Sequence, residues 1–343
     1  MAERFASVAL WSQERAEPFI NQLGENLHKF KLELLEDGSK VIRLDGKATR
    51  LTRRTEHGYT VFAASSDSDR LKSKKIMDQE VNAVILAAPT IDASTKHAEQ
   101  RSRRLIHNLK SLTAKTSQEI FYIVKQETLL NSPRESVEYV SGEIKDNSLD
   151  TAKAILEILK NQLAQKAEFS AFEKLSGKVG STKMESHDVH RVLMNVFYLF
   201  FGEFLAKKVK AHIEPTRLQA VFDYDSIHTC IYYLVENAVK YTMRNSALNV
   251  TTSEDGNGYI DIRFEMESLA IAAEEHDRVF EEAVSGKYAV SEKLNGAGIG
   301  LFLAREMARL NGGGLYLHAG KPMISGTYAR NSFVLSLKAL SVG

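Results

Sequence analysis

The sequence predicts an α+β protein of several domains, and two changes of pattern along the chain carry that prediction. Short alternating segments near the N-terminus are typical of strands, and they give way to long heptad-patterned segments typical of helices. The last part mixes helical and strand-like segments. We therefore expect a small N-terminal domain over residues 1–88, a helical hairpin over residues 89–177 and an α/β domain over residues 181–343.

The N-terminal domain is expected to contain a small antiparallel meander. Residues 3–28 mix apolar and polar residues at roughly helical spacing, which predicts one or two short helices. From Lys29 onward the pattern is strand-like, with Asp-Gly and His-Gly turn signals between segments. The predicted strands are Phe30–Leu34, Lys40–Leu44, Ala48–Thr52 and Tyr59–Ala63. No catalytic motif occurs in this stretch, so packing or partner binding is favoured over ligand sensing.

The middle of the chain predicts two long helices. The first is expected to begin after Pro89 and to run to about Leu130, with a capping-box pattern at Ser132–Glu135 starting the second. The second is expected to end near Ser176-Gly177. Their heptad core positions are Ile106, Leu109, Thr113, Thr116, Ile120 and Ile123 in the first helix, and Leu149, Ala152, Leu156, Leu159 and Leu163 in the second.

Two such helices joined by a short turn form an antiparallel hairpin. Leu105 and Leu112 widen the apolar stripe beyond the seam of a two-stranded coil. A single hairpin cannot bury both stripes, so we expect a homodimer in which two hairpins form a four-helix bundle.

The C-terminal domain is expected to be a mixed sheet with helices on one face. An apolar helix is predicted over Val189–Val209, and the basic run Lys207–Lys210 is most simply its solvated end. The further predicted helices are Asp225–Thr242, Glu274–Ser285 and the last part of Gly296–Leu310. The predicted strands are Arg217–Phe222, Leu248–Thr252, Tyr259–Met266, Leu315–His318 and Ser332–Leu337.

The composition excludes several classes of protein. The net charge of +1, from 45 basic and 44 acidic residues, argues against a nucleic-acid scaffold. Cys230 is the only cysteine, so neither an internal disulfide nor a cysteine-based zinc site can form. The longest apolar runs, Val81–Pro89 and Val196–Phe201, fall short of the ~20 residues that span a bilayer. No signal-peptide core follows Met1, so a cytoplasmic location without a membrane span is expected.

Two stretches carry residues suited to chemistry. In the apolar helix around Asn237, that side chain and Lys240 are polar, and an amide oxygen and an ammonium are suited to a hydrated divalent cation and a phosphate. Gly296, Gly298 and Gly300 lead directly into a helix, whose N-terminus attracts anions. Taken together, the two stretches predict a nucleoside triphosphate site. The alternative is a solvated helix end and an ordinary glycine-rich loop.

In their order along the chain, these motifs resemble a known family. Residues 187–338 are similar to the ATP-binding domain of sensor histidine kinases and their ATPase relatives, the Bergerat-fold superfamily. Glu236–Thr242 matches the family's N box, Arg278–Glu281 its F box and Gly296–Leu301 its second glycine box. Asn311–Gly313 and the segment from Gly326 to Leu337 are similar to the closing strands of the family's domain.

The resemblance implies roles for individual residues. Asn237 would hold Mg²⁺, Lys240 would contact phosphate and Tyr241 would pack near the nucleotide. Residues Val284–Gly298 would form a lid. The implied nucleotide-binding residues are Asn237, Lys240, Tyr241, Met266, Phe280, Gly296, Gly298, Ile299, Gly300 and Leu301.

The sequence departs from the family at the first glycine box. The family has an aspartate that receives the adenine amino group, followed by two glycines. Here Met266, Ser268 and Ala270 stand at those positions. Glu265 and Glu267 are one residue away, where the alternation of a strand turns them to the opposite face. Tyr233 stands where hydrolytic relatives carry a glutamate base, which disfavours direct ATP hydrolysis.

The helical hairpin resembles the same family. Ile106–Leu112 is similar to the H box of the phosphotransfer helix, and this likeness implies that His107 is the phospho-acceptor with Asn108 and Lys110 as catalytic neighbours. The heptad places His107 at a b position, off the core seam and open to solvent. The family's usual acidic residue is replaced by Asn108, which can hydrogen-bond the imidazole but cannot take its proton. The alternative is an ordinary surface histidine.

These observations lead to two hypotheses about function. The first is a cytoplasmic two-component histidine kinase, which would bind ATP and Mg²⁺, autophosphorylate His107 and pass the phosphoryl group to a response-regulator aspartate. The second is a pseudokinase, a dimeric scaffold that docks a response regulator or another partner without catalysis. His187 and His190 have no third ligand nearby in sequence, so a metal site there is disfavoured.

Overall fold

The computed structural model describes residues 5–15, 17–44, 46–125, 132–175, 182–294, 296, 298–321 and 326–340, and these confirm the α+β class. The chain divides into two compact units, Met1–Arg104 and Leu105–Gly343. The helices are α1 Asn26–Glu33, α2 Ser68–Lys72, α3 Lys74–Ile123, α4 Pro133–Asp146, α5 Ser148–Leu175, α6 Val189–Phe197, α7 Phe201–Ala206, α8 Tyr224–Tyr241, α9 Lys287–Ser291 and α10 Gly300–Leu310. No described helix combines the length and the apolar character that crossing a bilayer demands.

The first unit is built on a five-stranded antiparallel sheet in the order β2-β1-β5-β4-β3. Successive residues of β1 face opposite sides of the sheet, so they are buried in two separate hydrophobic cores. Ala9 packs with α1, and Leu10 packs with the first part of α3. The strands are β1 Ser7–Ser12, β2 Ile20–Asn21, β3 Gly38–Leu44, β4 Lys47–Glu56 and β5 Tyr59–Ser65.

Two predictions for the N-terminal domain were wrong. Residues 3–28, predicted to be helical, supply β1 and β2, and the predicted strand Phe30–Leu34 lies largely in α1. The reason is packing: Leu27 and Phe30, spaced i and i+3, are buried on the sheet, whereas the alternating Leu32 is exposed. The predicted turn at Asp45 falls partly outside the described residues.

Helix α3 begins fifteen positions earlier than predicted and contains Pro89 in its interior. Its first part buries Met77, Val81, Ile85 and Ala88 at helical spacing against the sheet. This packing offsets the cost of an interior proline, ~3 kcal/mol. The predicted end near Leu130 lies outside the described residues.

Helices α3 and α5 lie antiparallel within the second unit, as the hairpin prediction required. The amide of Asn108 donates to Glu168 at 3.1 Å, and Gln165 donates to Thr113 at 3.4 Å. The capping box at Ser132 is present, but the predicted second helix is interrupted at Asn147 into α4 and α5. Its predicted end at Ser176-Gly177 lies outside the described residues.

Helix α5 has two different apolar faces. Ala164, Ala167 and Ala171 are buried in the core of the C-terminal domain. The predicted heptad residues Leu149, Leu156 and Leu159 lie on another face, where they are 69%, 58% and 47% exposed. In a single chain the leucine face is therefore uncovered.

The C-terminal domain contains a mixed sheet in the order β11-β12-β10-β9-β7, in which only β7 and β9 run parallel among the described strands. Strands β6 and β8 form a separate two-stranded antiparallel sheet. Helices α8 and α10 pack against each other and contribute to one core. The strands are β6 Met184–Asp188, β7 Lys210–Ile213, β8 Gln219–Asp223, β9 Ala247–Glu254, β10 Tyr259–Leu269, β11 Gly314–His318 and β12 Tyr328–Lys338.

Two helix predictions in this domain need correction. The predicted helix Val189–Val209 is two helices, α6 and α7, with a turn between them that lets Phe197, Phe200 and Phe204 all be buried. The predicted helix Glu274–Ser285 consists of two short 3-10 turns, Ala273–Glu275 and Arg278–Phe280.

A polar network fixes the C-terminal end of α5 to the start of α8. Lys174 binds the carboxylate of Asp223 and donates to the Ser226 hydroxyl at 2.6 Å. Burial alone would raise the pKa of Asp223, but these bonds and the backbone amides of Ser226 and Lys183 lower it to about 2. Asp223 therefore remains ionised and caps α8.

Candidate functional site

A cavity of about 390 Å³ lies in the second unit, between the C-terminal domain and the two hairpin helices. One wall is α8, and the floor is the end of β10. The opposite side is formed by residues 284–286, Ala289 and the N-terminus of α10, and the remaining wall belongs to α3 and α5. A cavity of this size is suited to a small-molecule ligand.

Helix α8 presents Asn237 and Lys240 to the cavity because its other residues are needed for the core. Its buried residues include Ile231, Leu234 and Val235, so the polar positions of the last turns face the opening. The Asn237 amide nitrogen is buried and has no hydrogen-bond partner among the residues that the structure describes. Such an unpaired group is costly, and a bound ligand would satisfy it.

The glycine-rich segment closes tightly around these side chains. A Cβ at Gly296 would lie 2.8 Å from the Lys240 ammonium, and one at Gly300 would lie 3.2 Å from the Asn237 amide nitrogen. Gly298 has a φ of +68°, and a Cβ there would lie 2.5 Å from the carbonyl oxygen of Val284. Glycine is required at Gly298, where the close atoms are backbone, whereas the neighbours of Gly296 and Gly300 are side-chain atoms that can shift.

Helix α10 begins at the glycine segment and directs its N-terminus to the cavity. Its N-cap residue, Ile299, makes no side-chain capping bond. The first amides of the helix carry partial positive charge and are suited to an anion.

Lys240 supplies a full positive charge to the same region. Its ammonium also lies 5.2 Å from the centre of the Tyr241 ring. Desolvation lowers the pKa of Lys240, and the Glu236 carboxylate opposes this effect. A bound phosphate would favour the charged form in the same way as Glu236 does.

Lys207 caps the C-terminus of α8, although sequence reasoning assigned it to a solvated helix end. Its ammonium donates to the carbonyl oxygens of Val239, Lys240 and Thr242 at 2.7, 3.1 and 2.8 Å. Desolvation lowers the pKa of this lysine, as does the nearby Arg244. The prediction was wrong because the chain turns after α7 and brings Lys207 to the end of α8.

The hairpin wall carries a shared carboxylate. One oxygen of Glu168 accepts hydrogen bonds from the Asn108 amide and from the Tyr233 hydroxyl, both at 3.1 Å. Burial and the Glu168 charge hold the pKa of Tyr233 well above its usual range, so its hydroxyl remains a donor. Glu168 thus connects α3, α5 and α8 at the cavity.

Glu236 is a second carboxylate at the cavity. Its side chain is accessible through the opening, yet surrounding protein desolvates it and raises its pKa, and the Glu168 charge adds to the increase. Lys240, Lys160 and Lys115 oppose that shift. The charges at this end of the cavity are therefore mutually coupled.

The floor of the cavity differs in character from the wall. Met266 is 4% exposed, and the Thr242 hydroxyl donates to its sulfur at 3.3 Å. The side chains around it are mostly apolar and include Phe264, Val279, Ile299 and Phe333, with Ser268 as a polar member of the same lining.

The structure brings most of the predicted site residues together. The cavity is lined by Asn108, Asn237, Lys240, Tyr241, Met266, Gly296, Gly298, Ile299, Gly300 and Leu301. His107 and Lys110 are exposed on α3 and do not line it. Phe280 does not line the cavity either; it is buried, and Arg305 lies over its ring at 4.8 Å and donates to its carbonyl oxygen.

Sequence reasoning missed the hairpin contribution to the site. Ser111, Leu112 and Lys115 follow Asn108 at i+3, i+4 and i+7, so helical periodicity from Asn108 identifies them. Glu168 carried no such signal, because its place depends on the register of α5 against α3. Among the described residues, no cluster of three or more His, Cys, Asp or Glu is arranged to hold a metal ion.

One known protein family matches most of the C-terminal domain. Residues 222–339 match the family described as histidine kinase-, DNA gyrase B- and HSP90-like ATPase. The C-terminal domain is therefore similar to that ATPase family. The matched segment contains α8, residues 284–286 and the glycine segment, and therefore most of the cavity.

Curated proteins that resemble this chain include sensor kinases, which confirms the predicted resemblance to the sensor histidine kinase family. The sensor-like histidine kinase SenX3 of Mycobacterium tuberculosis is 30% identical over 126 residues, which are 37% of this chain and 29% of SenX3. The histidine protein kinase SaeS of Staphylococcus aureus is 32% identical over 79 residues, 23% of this chain and 22% of SaeS. The match thus spans less than a third of either relative.

Solved structures of histidine kinases resemble this chain at low similarity. The mycobacterial sensor histidine kinase MprB is 16% identical, with a TM-score of 0.39, over 46% of this chain and 99% of that one. Full-length ShkA in complex with AMPPNP is 16% identical, with a TM-score of 0.46, over 71% of this chain and 46% of that one.

Proposed function

We propose that this protein is a histidine kinase that binds ATP with Mg²⁺, autophosphorylates His107 and passes the phosphoryl group to an aspartate of a response-regulator receiver domain. The observation that carries the proposal is the buried, unpaired amide of Asn237 beside Lys240, within the glycine segment and the uncapped N-terminus of α10. These groups fit a triphosphate and its cation.

Each of these groups has a role in binding and orientation. Asn237 would turn its amide oxygen to Mg²⁺, which supplies charge neutralisation when bound. Lys240 and the α10 amides would hold the phosphate oxygens, and Gly296, Gly298 and Gly300 allow the backbone to approach them. Positioning and charge account for most of the catalysis in phosphoryl transfer, so no strong base is required.

The transfer exchanges one bond for another. A ring nitrogen of His107 attacks the γ-phosphorus, the bond to the β–γ bridging oxygen breaks, and ADP leaves. The imidazole loses its proton to solvent, and the phosphoryl group later moves from nitrogen to a carboxylate oxygen. His107 is exposed beside the cavity rather than within it, so the C-terminal domain that serves it must be repositioned or belong to the partner protomer.

We also propose a homodimer formed through the leucine face of α5, defined as Leu149, Ile155, Leu156 and Leu159. These large apolar side chains are all between 47% and 69% exposed in one chain. A second hairpin covering them would complete a four-helix bundle.

The test is incubation of the full chain with γ-labelled ATP and Mg²⁺. Acid-labile label is expected on the wild type and absent from His107→Gln, because glutamine has no nucleophilic ring nitrogen. The matched control is His97→Gln, which removes an exposed histidine from the same helix and should keep the label.

A second variant separates acceptor from binding site. Asn237→Asp should lose the label together with ATP binding, whereas His107→Gln should still bind ATP. Label retained in His107→Gln would contradict the assignment of the acceptor. A wild type that neither takes label nor shifts its melting temperature with ATP would overturn the kinase proposal and leave the scaffold hypothesis.

A further inference from the structure

We infer that the cavity accepts nucleoside triphosphates without selecting the base. This inference rests on the proposed nucleotide site and concerns its floor, the end that a base would occupy opposite the phosphate groups. The floor is formed by Met266 and its apolar neighbours, and Ser268 is the only polar side chain among its described residues.

Met266 lies in β10, the central strand of the five-stranded sheet, and is paired with the strand on either side. It pairs with Leu248 of β9 and with Asn331 of β12. Its sulfur is a weak acceptor and already receives the Thr242 hydroxyl at 3.3 Å. The side chain therefore presents a hydrophobic surface to the cavity rather than a hydrogen-bonding one.

Two polar side chains near Met266, Asn331 and Ser268, bond to each other. Asn331 is fully buried, and its amide nitrogen donates to the Ser268 hydroxyl and to the Leu269 carbonyl oxygen, both at 2.9 Å. Its amide oxygen accepts from the Gly320 backbone at 3.2 Å. A base could bond to Asn331 only by breaking these bonds. The Ser268 hydroxyl can both donate and accept, so it does not distinguish one base edge from another.

Two backbone groups at the end of β10 also have partners. The amide of Ala270 donates to the Thr327 carbonyl oxygen at 2.9 Å, and the Ile271 carbonyl oxygen lies 3.3 Å from a ring nitrogen of His276. Recognition of a base edge by the Ala270 amide would require its present bond to break.

No carboxylate can take the place of Met266. Glu265 and Glu267 flank it in β10 but lie on the other face of the strand and do not line the cavity. Glu267 instead lies 3.8 Å from Arg330. The carboxylates that line the described cavity, Glu168 and Glu236, belong to α5 and α8 on the hairpin side.

An apolar floor discriminates weakly between bases. A purine or pyrimidine face packs against methionine and aromatic side chains whatever the groups on its edge. Strong selection, about 10⁴-fold or more, requires buried groups that one ligand pairs and another leaves unpaired. Among its described residues the floor has one polar side chain, the Ser268 hydroxyl, which can pair with either a donor or an acceptor. We therefore expect ATP, GTP, CTP and UTP to bind with dissociation constants within about tenfold of one another.

The test is calorimetric titration of the full wild-type chain with each of the four triphosphates and with inorganic tripolyphosphate, all with Mg²⁺. Similar affinity for the four nucleotides supports the inference. Binding of ATP at least a hundredfold tighter than the others overturns it and leaves the proposed nucleotide site intact. No binding of any nucleotide or of tripolyphosphate overturns the proposed function itself.

A pair of variants gives a second readout at the same position. Met266→Asp places a carboxylate that can accept from the adenine amino group and that repels the carbonyl oxygen of guanine. The ratio of ATP to GTP affinity should rise about tenfold. Met266→Leu keeps the apolar surface and should leave the ratio unchanged. An unchanged ratio in a Met266→Asp protein with wild-type circular dichroism would place the base away from Met266 and overturn the inference.

Discussion

The Tyr233 hydroxyl donates a 3.1 Å hydrogen bond to Glu168, the same carboxylate oxygen that receives the Asn108 amide. One side chain of α5 thus joins the helix that carries His107 to the helix that carries Asn237. The relationship links the proposed acceptor helix to the proposed nucleotide helix through a single oxygen atom, and its removal should loosen both contacts.

Substitution of Glu168 should separate α5 from α8 locally. Glu168→Ala removes the acceptor of two hydrogen bonds at a cost of about 1–3 kcal/mol, whereas Glu168→Gln keeps an oxygen and removes the charge. Hydrogen–deuterium exchange over residues 164–175 should be faster in the alanine variant and near wild type in the glutamine variant. Equal exchange in all three proteins would show that the bond does not hold the helix in solution.

Gly298 should be intolerant of a side chain for two separate reasons. Gly298→Ala combines a left-handed backbone with a clash against Val284, and we expect ATP affinity to fall about tenfold or more. Gly312→Ala is the matched control, because Gly312 has the same φ of +68° and open space around it. It should lose stability by about 1 kcal/mol without losing affinity. Titration with ATP distinguishes the two.

Lys240 should make triphosphate binding dependent on pH. Its pKa is already lowered by desolvation, and phosphate binds its protonated form. The contribution of Lys240 to the affinity should therefore be present below that lowered pKa and should be lost as the pH rises through it. Ionisation of the phosphate near pH 6 affects the wild type and a lysine-to-arginine variant alike. Lys240→Arg keeps its charge and should give a flat profile above about pH 8. A wild-type profile as flat as that of the arginine variant would remove Lys240 from the phosphate site.

The leucine face of α5 should control association. Leu156→Asp places a charge in the proposed interface and should convert the homodimer to a monomer, which analytical ultracentrifugation measures directly. Leu205→Asp is the control, since Leu205 is 78% exposed on α7 and belongs to no proposed interface. A Leu156→Asp protein that sediments as the wild type does would exclude this face.

The parts of the fold that sequence reasoning predicted are those with a local signal. The capping box at Ser132 is present, and the apolar periodicity around Asn237 predicted α8 to within a residue at each end. The meander strands after Gly38 were also predicted, because turn residues separate them.

The predictions that were wrong or missing concern residues whose positions depend on packing between distant segments. Pro89 is a helix breaker in isolation, but Met77, Val81 and Ile85 hold it within α3 by burying against a sheet formed elsewhere in the chain. Glu168 could not be predicted as a site residue, because its contacts with Asn108 and Tyr233 span 60 and 65 positions.

Lys207, at the end of α7, does not line the cavity, but its hydrogen bonds affect how the cavity would bind an anion. Asn237 and Lys240 stand on the last turns of α8, and the carbonyl end of a helix carries partial negative charge that repels phosphate. By donating to three of those carbonyl oxygens, Lys207 cancels much of that repulsion. A phosphate group bound beside Lys240 would therefore meet less repulsion from the carbonyl end of α8, although Lys207 itself does not line the cavity.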